Sequence, residues 1–442
     1  MEELERFLQQ ITSLYKYPLN ITDARKIVNE INSFLYTSNS NLGFVSELGQ
    51  SFPYFSAFHK FWHLHHKEIL NLTISDEASE KVSDVLHDVY IRTKGRAFKE
   101  IYETNGLNKE EICRVRLLTA NQDFRGSRNF KEISDVFLDD PTLFDEYSIV
   151  DNPEDFVKSL GITNLSQNDK RIQFAKKISQ FLIEHKSTPY DIIKYFDNNV
   201  TLLRNAMINY EGTGYGNKKT DMFIRDMIVL EVWKNVIGFD AIDVASDVNT
   251  IKVALRTGIL KSEIPLVSSF LDIFCYQYGY VDKMNALAWR RVWKIWQEKY
   301  PNETISSPCL LDYFIYNVVG KQFCKNSLYF FVCEKEHGFY WHSSRNKTCQ
   351  VCYKETGKRN KAKLLYRLLP CEVDKGYIAV DKTEFVQSNI AEPNYHQCPL
   401  KDVCGKYGNK YLMPPKSISI MGQTGWSSAY TKENTGGGGL MS

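Results

Sequence analysis

The chain has 442 residues, 24% of them charged and 43% hydrophobic. That is enough for a buried core and long enough for two or three units. Lys plus Arg number 55 and Asp plus Glu 53, a net charge of +2, which excludes a histone-like polycation and an acidic disordered chain but leaves room for a local basic face. Aromatic residues at 13% speak against disorder, and no apolar run reaches the roughly 18 residues of a membrane span.

The opening MEELERFLQQI is acidic and amphipathic, unlike a signal peptide. The reading is therefore a cytoplasmic protein, with its ten Cys in a reducing compartment where clustered Cys more often bind metal than form disulfides. Residues 1–105 carry apolar positions at three- and four-residue spacing and predict a helical N-terminal extension. Helical patterning continues from 106 to 323, punctuated by Gly, Pro and Asn, without a convincing run of alternating strands. From Cys324 the texture changes. Seven of the ten Cys fall between 324 and 404, and 325–370 holds ten Lys/Arg against three Glu. The segment 324–412 is read as a Cys-rich metal-binding module with a basic insertion. The Gly- and Ser-rich residues 413–442 are read as a flexible tail.

Residues 212–227 read GTGYGNKKTDMFIRDM. Gly214 and Gly216, one residue apart, allow a tight turn and a close backbone approach. Amides at the start of the following helix can hold a phosphate, and Lys218 and Lys219 follow at once. Taken alone, an ordinary helix–helix turn has the same composition. In 246–260, SDVNTIKVALRTGIL, Asp247 precedes a helical pattern with Ile251, Val253, Ala254 and Leu255 inside and Lys252 and Arg256 outside. Such an Asp is also an ordinary N-cap.

Together these segments resemble the helix-hairpin-helix DNA glycosylase superfamily, which includes endonuclease III and 8-oxoguanine glycosylase. Gly214-Tyr215-Gly216-Asn217-Lys218 looks like its Gly-h-Gly-x-Lys hairpin, and Asp221 looks like the 8-oxoguanine branch. Asp247 with Asn249, Lys252 and Arg256 is similar to its catalytic-Asp segment. LLTANQDFRGS (117–127) resembles the segment that opens the glycosylase domain, and DKRIQFAKKISQFLIEH (169–185) its next helix. VVGKQFC (318–324) is similar to the step into the family's iron–sulfur loop. Lys218 and Asp247 are 29 positions apart, longer than the family's usual gap, so a loop around 234–246 is inserted. Its Asp240 and Asp243 compete with Asp247 for the acid's role, and Lys219 competes with Lys218. A looser resemblance to the queuosine-salvage nucleoside glycosylases rests on MFIRDMIVLEVW (222–233), the following Asp247, and LLDYFIY (310–316).

The resemblance implies an all-α, two-lobed glycosylase core. This enzyme would flip a damaged or modified base out of double-stranded DNA and cleave its N-glycosidic bond. Asp247 would be the catalytic carboxylate. Lys218 would be either a Schiff-base nucleophile, giving strand cleavage as well, or a phosphate contact. Asn121 or Gln122 would fill the gap left by the base. Gly214, Gly216, Lys219 and Lys252 would contact DNA. Tyr313 and Tyr316 would line the base pocket, while Trp289, Trp293 and Trp296 form a helix stripe read as core. The basic insertion, with Tyr329, Phe339, Tyr340, Trp341 and Tyr353 interleaved, suits the DNA backbone.

Cys398 and Cys404 have the spacing that closes the family's [4Fe–4S] loop, and Cys324 would open it. Cys349-x2-Cys352 is a knuckle pair. One partition gives a cluster to Cys324, Cys371, Cys398 and Cys404, and zinc to Cys333, Cys349, Cys352 and a His. Another makes one site of Cys349, Cys352, Cys398 and Cys404. Cys113, Cys275 and Cys309 are read as core residues. The expected protein is a monomer. Its large extension and insertions suit a bulky base, such as a hypermodified viral one, and a role in antiviral defence. The rival readings are a queuosine-salvage-like nucleoside or nucleotide N-glycosidase and a non-catalytic DNA-binding protein.

Overall fold

Apolar spacing of three and four residues builds helices through most of the chain, and a small antiparallel sheet follows them. The computed structural model describes residues 2–37, 51–99, 101–123, 129–162, 167–264, 279–323, 328–341, 347–371, 376–379, 385–386 and 398–404. The chain divides into two units. The described residues of one lie within 1–85, 248–288 and 315–433, and those of the other within 86–247 and 289–314.

In the first unit, helices Glu2–Leu14, Ile21–Thr37 and Ser51–Leu70 form the N-terminal part. Phe7 and Phe34 stack with ring centroids 4.1 Å apart. Arg25 donates to the carbonyls of Glu68 and Ile69, satisfying acceptors that a helix C-terminus leaves unpaired. Thr73–Ile74 pairs antiparallel with Leu260–Lys261, which joins this part to helix Val248–Thr257. That helix is buried nearly all round. Arg256, expected on its outer face, is only 2% exposed, because both sides of the helix are covered.

The first unit also holds a six-stranded antiparallel sheet, which the sequence patterning did not bring out. Gly338–Trp341, Leu328–Cys333, Lys361–Cys371, Gly376–Ala379 and Phe385–Val386 lie in that spatial order, and Lys347–Thr348 also pairs with Lys361–Cys371. A register shift between Phe330 and Phe331 interrupts the alternation that would have marked Leu328–Cys333 as a strand.

The second unit is helical, and its core is aromatic. Phe98 sits 5.4 Å from Trp296 and 5.2 Å from Phe314 by ring centroids. Trp289, Trp293 and Trp296 are buried, as the stripe suggested. The indoles of Trp293 and Trp296 donate to the carbonyls of Ile305 and Glu303, so these large side chains are buried without orphaning a donor.

Two helices of this unit, Val200–Asn209 and Asn217–Val229, are joined by the Gly214-Tyr215-Gly216 turn. Gly214 has φ +74°, and a Cβ there would lie 2.5 Å from the Phe174 ring. Gly216 has a negative φ, and a Cβ there would meet nothing within 4 Å. The two glycines therefore serve different ends. Gly214→Ala should lower unfolding stability by about 1–3 kcal/mol, whereas Gly216→Ala should change it by less than about 0.5 kcal/mol. Urea unfolding of both variants checks this, and equal losses would contradict it.

Candidate active site and metal centre

The turn is anchored from below. Tyr215 is buried, and its hydroxyl donates to the carbonyl of Leu117 at 2.6 Å. The Asn121 amide donates to the carbonyls of Thr213 (2.9 Å) and Phe174 (3.1 Å), and that of Gln122 to Arg171 (3.1 Å). Arg171 returns a bond to the Gln122 carbonyl at 2.9 Å. Asn121 and Gln122 are fully buried. These two residues, expected to fill the gap left by a flipped base, are struts inside the unit rather than side chains at its surface.

One helical step is about 100° of rotation, and it separates the two lysines. Lys219 turns inward. Its Nζ donates to the Asn121 carbonyl at 2.8 Å and lies 5.9 Å from the Phe174 ring centroid. Burial pulls its pKa down to about 8. Lys218 is partly exposed and lies within electrostatic reach of Asp312.

Helix Asn217–Val229 carries buried charge along its length. Arg204 engages both oxygens of Asp221, with 3.0 Å to Oδ2, and reaches Asn217 Oδ1 at 3.0 Å. This locks the two helices of the turn together. Burial, partly offset by Arg204, raises the Asp221 pKa to about 6.

Further along, Arg116 Nε donates to Asp226 Oδ2 at 2.7 Å, and the Tyr102 hydroxyl to the same oxygen at 3.2 Å. Arg225 donates to Asp226 Oδ1 at 2.6 and 3.0 Å, and its other terminal nitrogen bonds Asp312 Oδ2. Burial opposes the charge on Arg116 and Arg225, but the carboxylates outweigh it and push both pKa values up. Asp312 shows the reverse balance. Burial raises its pKa to about 7 against the pull of Arg225, and the negative charge of Asp247 adds to the rise. Asp312 thus feels both Asp247 and Lys218. The sequence reading had LLDYFIY in view but named its tyrosines, not this carboxylate. The signal that could have found it was a lone acid inside an apolar run, matched by the Arg225-Asp226 pair inside another.

Asp247 is half-buried and immediately precedes helix Val248–Thr257. Its rivals are placed otherwise. Asp243 accepts from Arg290 Nε at 2.6 Å, and Asp240 has an exposed side chain while Arg290 takes its carbonyl at 3.0 Å. The inserted loop is further held by Ile237, which exchanges backbone bonds with Asn198 and Val200. Tyr313 and Tyr316 are both half-buried, with Lys321 Nζ 4.0 Å from the Tyr316 ring centroid. Lys252 is half-buried as well.

The metal centre lies at one end of the sheet. The ligand atoms of Cys333, His337, Cys349 and Cys352 all fall within 4.8 Å of one another. Cys333 ends strand Leu328–Cys333. A tight turn through Glu336, at φ +60°, then brings His337 back, closed by bonds between Cys333 and both Glu336 and His337. Cys349 precedes helix Gln350–Thr356, whose first turn carries Cys352.

Cys333 Sγ to Cys352 Sγ is 3.6 Å. His337 Nδ1 is 3.4 Å from Cys352 Sγ and 3.8 Å from Cys349 Sγ. Tetrahedral zinc with Zn–S near 2.3 Å and Zn–N near 2.0 Å requires ligand separations of about 3.5–3.8 Å, so the donor set fits such an ion. Phe331 and Ala362 complete the buried cluster, with Tyr329, Phe339 and Leu364 packed against it.

This set joins the knuckle pair to Cys333 and His337 rather than to Cys398 and Cys404, which corrects the single-site partition. Cys398 and Cys404 sit on one short turn closed by the Cys404 amide on the Leu400 carbonyl. Cys371 lies at the end of strand Lys361–Cys371, with its side chain outside the described set. Cys324, Cys275 and His342 lie outside the described residues. Cys113 and Cys309 are buried, as expected of core thiols.

No protein-family model matches this chain. No curated protein matches it either.

Protein purified without chelator should carry about one zinc per chain at this centre. Cys352→Ser should lose that ion and lower the melting temperature. Acid should release the ion, because protons compete for the thiolates and the imidazole. Metal analysis checks this, and an unchanged zinc content in the Cys352 variant would contradict it.

Proposed function

We propose that this protein is an N-glycosidic bond hydrolase acting on DNA that carries a damaged or modified base. The observation that carries the reading is the convergence of Lys218 and Asp247 on one buried carboxylate, Asp312. These are the lysine and the aspartate that the glycosylase resemblance singled out, whereas Asp243 is paired with Arg290. Cleavage of a glycosidic bond leaves positive charge on the sugar, which a carboxylate stabilises in the transition state. Asp247 takes that role. Helix Asn217–Val229 begins at Gly216 without a side-chain cap, so its first amides, with Lys218 beside them, suit a phosphate. The metal centre is structural: three thiolates and an imidazole fill a tetrahedron and leave no open position. A separate iron–sulfur cluster on Cys324, Cys371, Cys398 and Cys404 belongs to the same proposal, and iron analysis of anaerobically purified protein tests it.

A second reading, base release from a free nucleoside or nucleotide, is favoured by two observations. Asn121 and Gln122 are buried, which removes the expected wedge for a duplex. The two segments that carry the queuosine-salvage resemblance are joined by the buried Arg225–Asp312 pair. Release of base from nucleosides but not from duplex DNA would select this reading.

Asp247→Asn should lower base release about 10²–10⁴-fold while DNA or nucleoside binding is kept, because the charge acts chiefly in the transition state. Mass spectrometry of released bases measures the loss, and wild-type turnover in that variant would move the role elsewhere.

Borohydride should trap a covalent adduct on DNA if Lys218 attacks the anomeric carbon. Lys218→Ala should abolish that adduct. Lys219→Ala should spare the chemistry and cost stability instead, since Lys219 Nζ is committed to the Asn121 carbonyl. Full base release with no adduct would make Lys218 a phosphate contact whose loss reduces the salt dependence of binding.

A further inference from the structure

We infer that Asp312 is the proton donor to the leaving base, a second acid working opposite Asp247. The inference rests on the glycosidase reading and deepens it. Asp312 is buried, with 7% of its side chain exposed. Arg225 bonds one carboxyl oxygen, Oδ2, and the other accepts no hydrogen bond among the described residues. Arg225 is itself committed to Asp226, which Arg116 and Tyr102 hold. Asp312 is therefore fixed through one oxygen by a rigid set of charges, and its second oxygen remains available to exchange a proton. A carboxyl needed only as a counter-ion would be expected to use both oxygens, as Asp221 does with Arg204.

The groups around Asp312 divide the two acids by role. Arg225, Asp226 and Lys218 reach it from helix Asn217–Val229, Asp247 from the start of the next helix, and Cys309 from its own short turn. Burial and Asp247 favour the protonated form, with Arg225 and Lys218 opposing. Two carboxyls in mutual reach cannot easily both ionise. Asp312, buried and raised in proton affinity, holds the proton that acid-assisted glycosidic cleavage requires.

The step balances. The C–N bond breaks with its electron pair moving onto the base, which takes the proton of Asp312. Water then bonds to the anomeric carbon, and its proton returns to the Asp312 carboxylate. Asp247 takes no part in the proton transfer.

The test compares leaving groups. Purine substrates, as free nucleosides and in DNA, are paired with their N7-methylated forms, whose bases depart as neutral molecules without an added proton. Asp312→Asn should slow release of the unmethylated base about 100-fold or more and of the N7-methylated base about 3-fold or less. In the wild-type enzyme, release of the unmethylated base should fall as pH rises through about 7, as an acid needed in its protonated form requires. Release of the methylated base should stay flat over that range.

Equal losses on both substrates would give Asp312 a purely structural role and overturn the inference. If Asp312→Asn does not fold, the wild-type pH profiles decide, and identical profiles for the two bases overturn it. A wild-type protein that releases base from neither substrate class overturns the glycosidase reading itself, a result distinct from failure of the Asp312 assignment.

Discussion

The buried charges of helix Asn217–Val229 are the constraint around which the second unit is arranged. Each ion removed from water carries a desolvation cost of several kcal/mol. It is tolerated because Arg116, Asp226 and Arg225 alternate in sign and bond one another, with Arg225 also bonded to Asp312. That alternation ties three separate stretches of sequence to one helix: the Lys109–Thr119 helix through Arg116, residue 102 through its phenol, and the Pro308–Tyr313 turns through Asp312. Removing Asp226 would leave the buried Arg116 without its charge partner, at a cost of about 3–5 kcal/mol. A plain apolar helix could pack as well. The ladder adds a fixed place and a fixed protonation preference for the last acid in the row.

The same helix sorts its own first turn. Lys218 and Lys219 are chemically identical, and only the rotation between consecutive residues separates them. Lys219 spends its donor on a backbone carbonyl in a desolvated position and loses basicity. Lys218 instead lies within electrostatic reach of Asp312. Arg204, bound to both oxygens of Asp221 and to Asn217, fixes the rotation of the helix about its axis, so this sorting is built into the packing.

In the other unit the corresponding feature is the candidate metal-ligand set Cys333, His337, Cys349 and Cys352. The sheet is small and several of its strands are short. The four candidate ligands gather at one end of it. Cys333 and His337 flank one hairpin, while Cys349 and Cys352 flank the start of the helix that follows. An ion at that point ties the hairpin to the helix and gives Phe331 and Ala362 a closed surface to pack against. Exposed Lys363 and Lys361 lie on the neighbouring strand, so part of the basic character noted in the sequence is displayed beside this cluster.

Much of this was legible in the residues. Three- and four-residue apolar spacing determined the helices, because a buried stripe recurs at the helical period whatever the tertiary contacts. The tryptophan stripe announced itself as core for the same reason. Cys349-x2-Cys352 marked a metal knuckle, since two thiolates at that spacing reach one ion without long-range help. Local spacing could not name the remaining ligands. Cys333 and His337 join the site only because an antiparallel hairpin returns the chain, and the strand that makes it is broken by a bulge that hides its alternation.

The fates of Asn121, Gln122 and Arg256 were likewise tertiary. A polar side chain reads as surface until a neighbouring element covers it and supplies partners for its donors. Asp312 is the clearest case. In sequence it is one acid in the apolar run LLDYFIY, indistinguishable from a solvated charge. Its environment comes from Arg225, 87 positions earlier, and from Lys218 and Asp247, and a carboxyl's proton affinity depends on charges in space rather than along the chain.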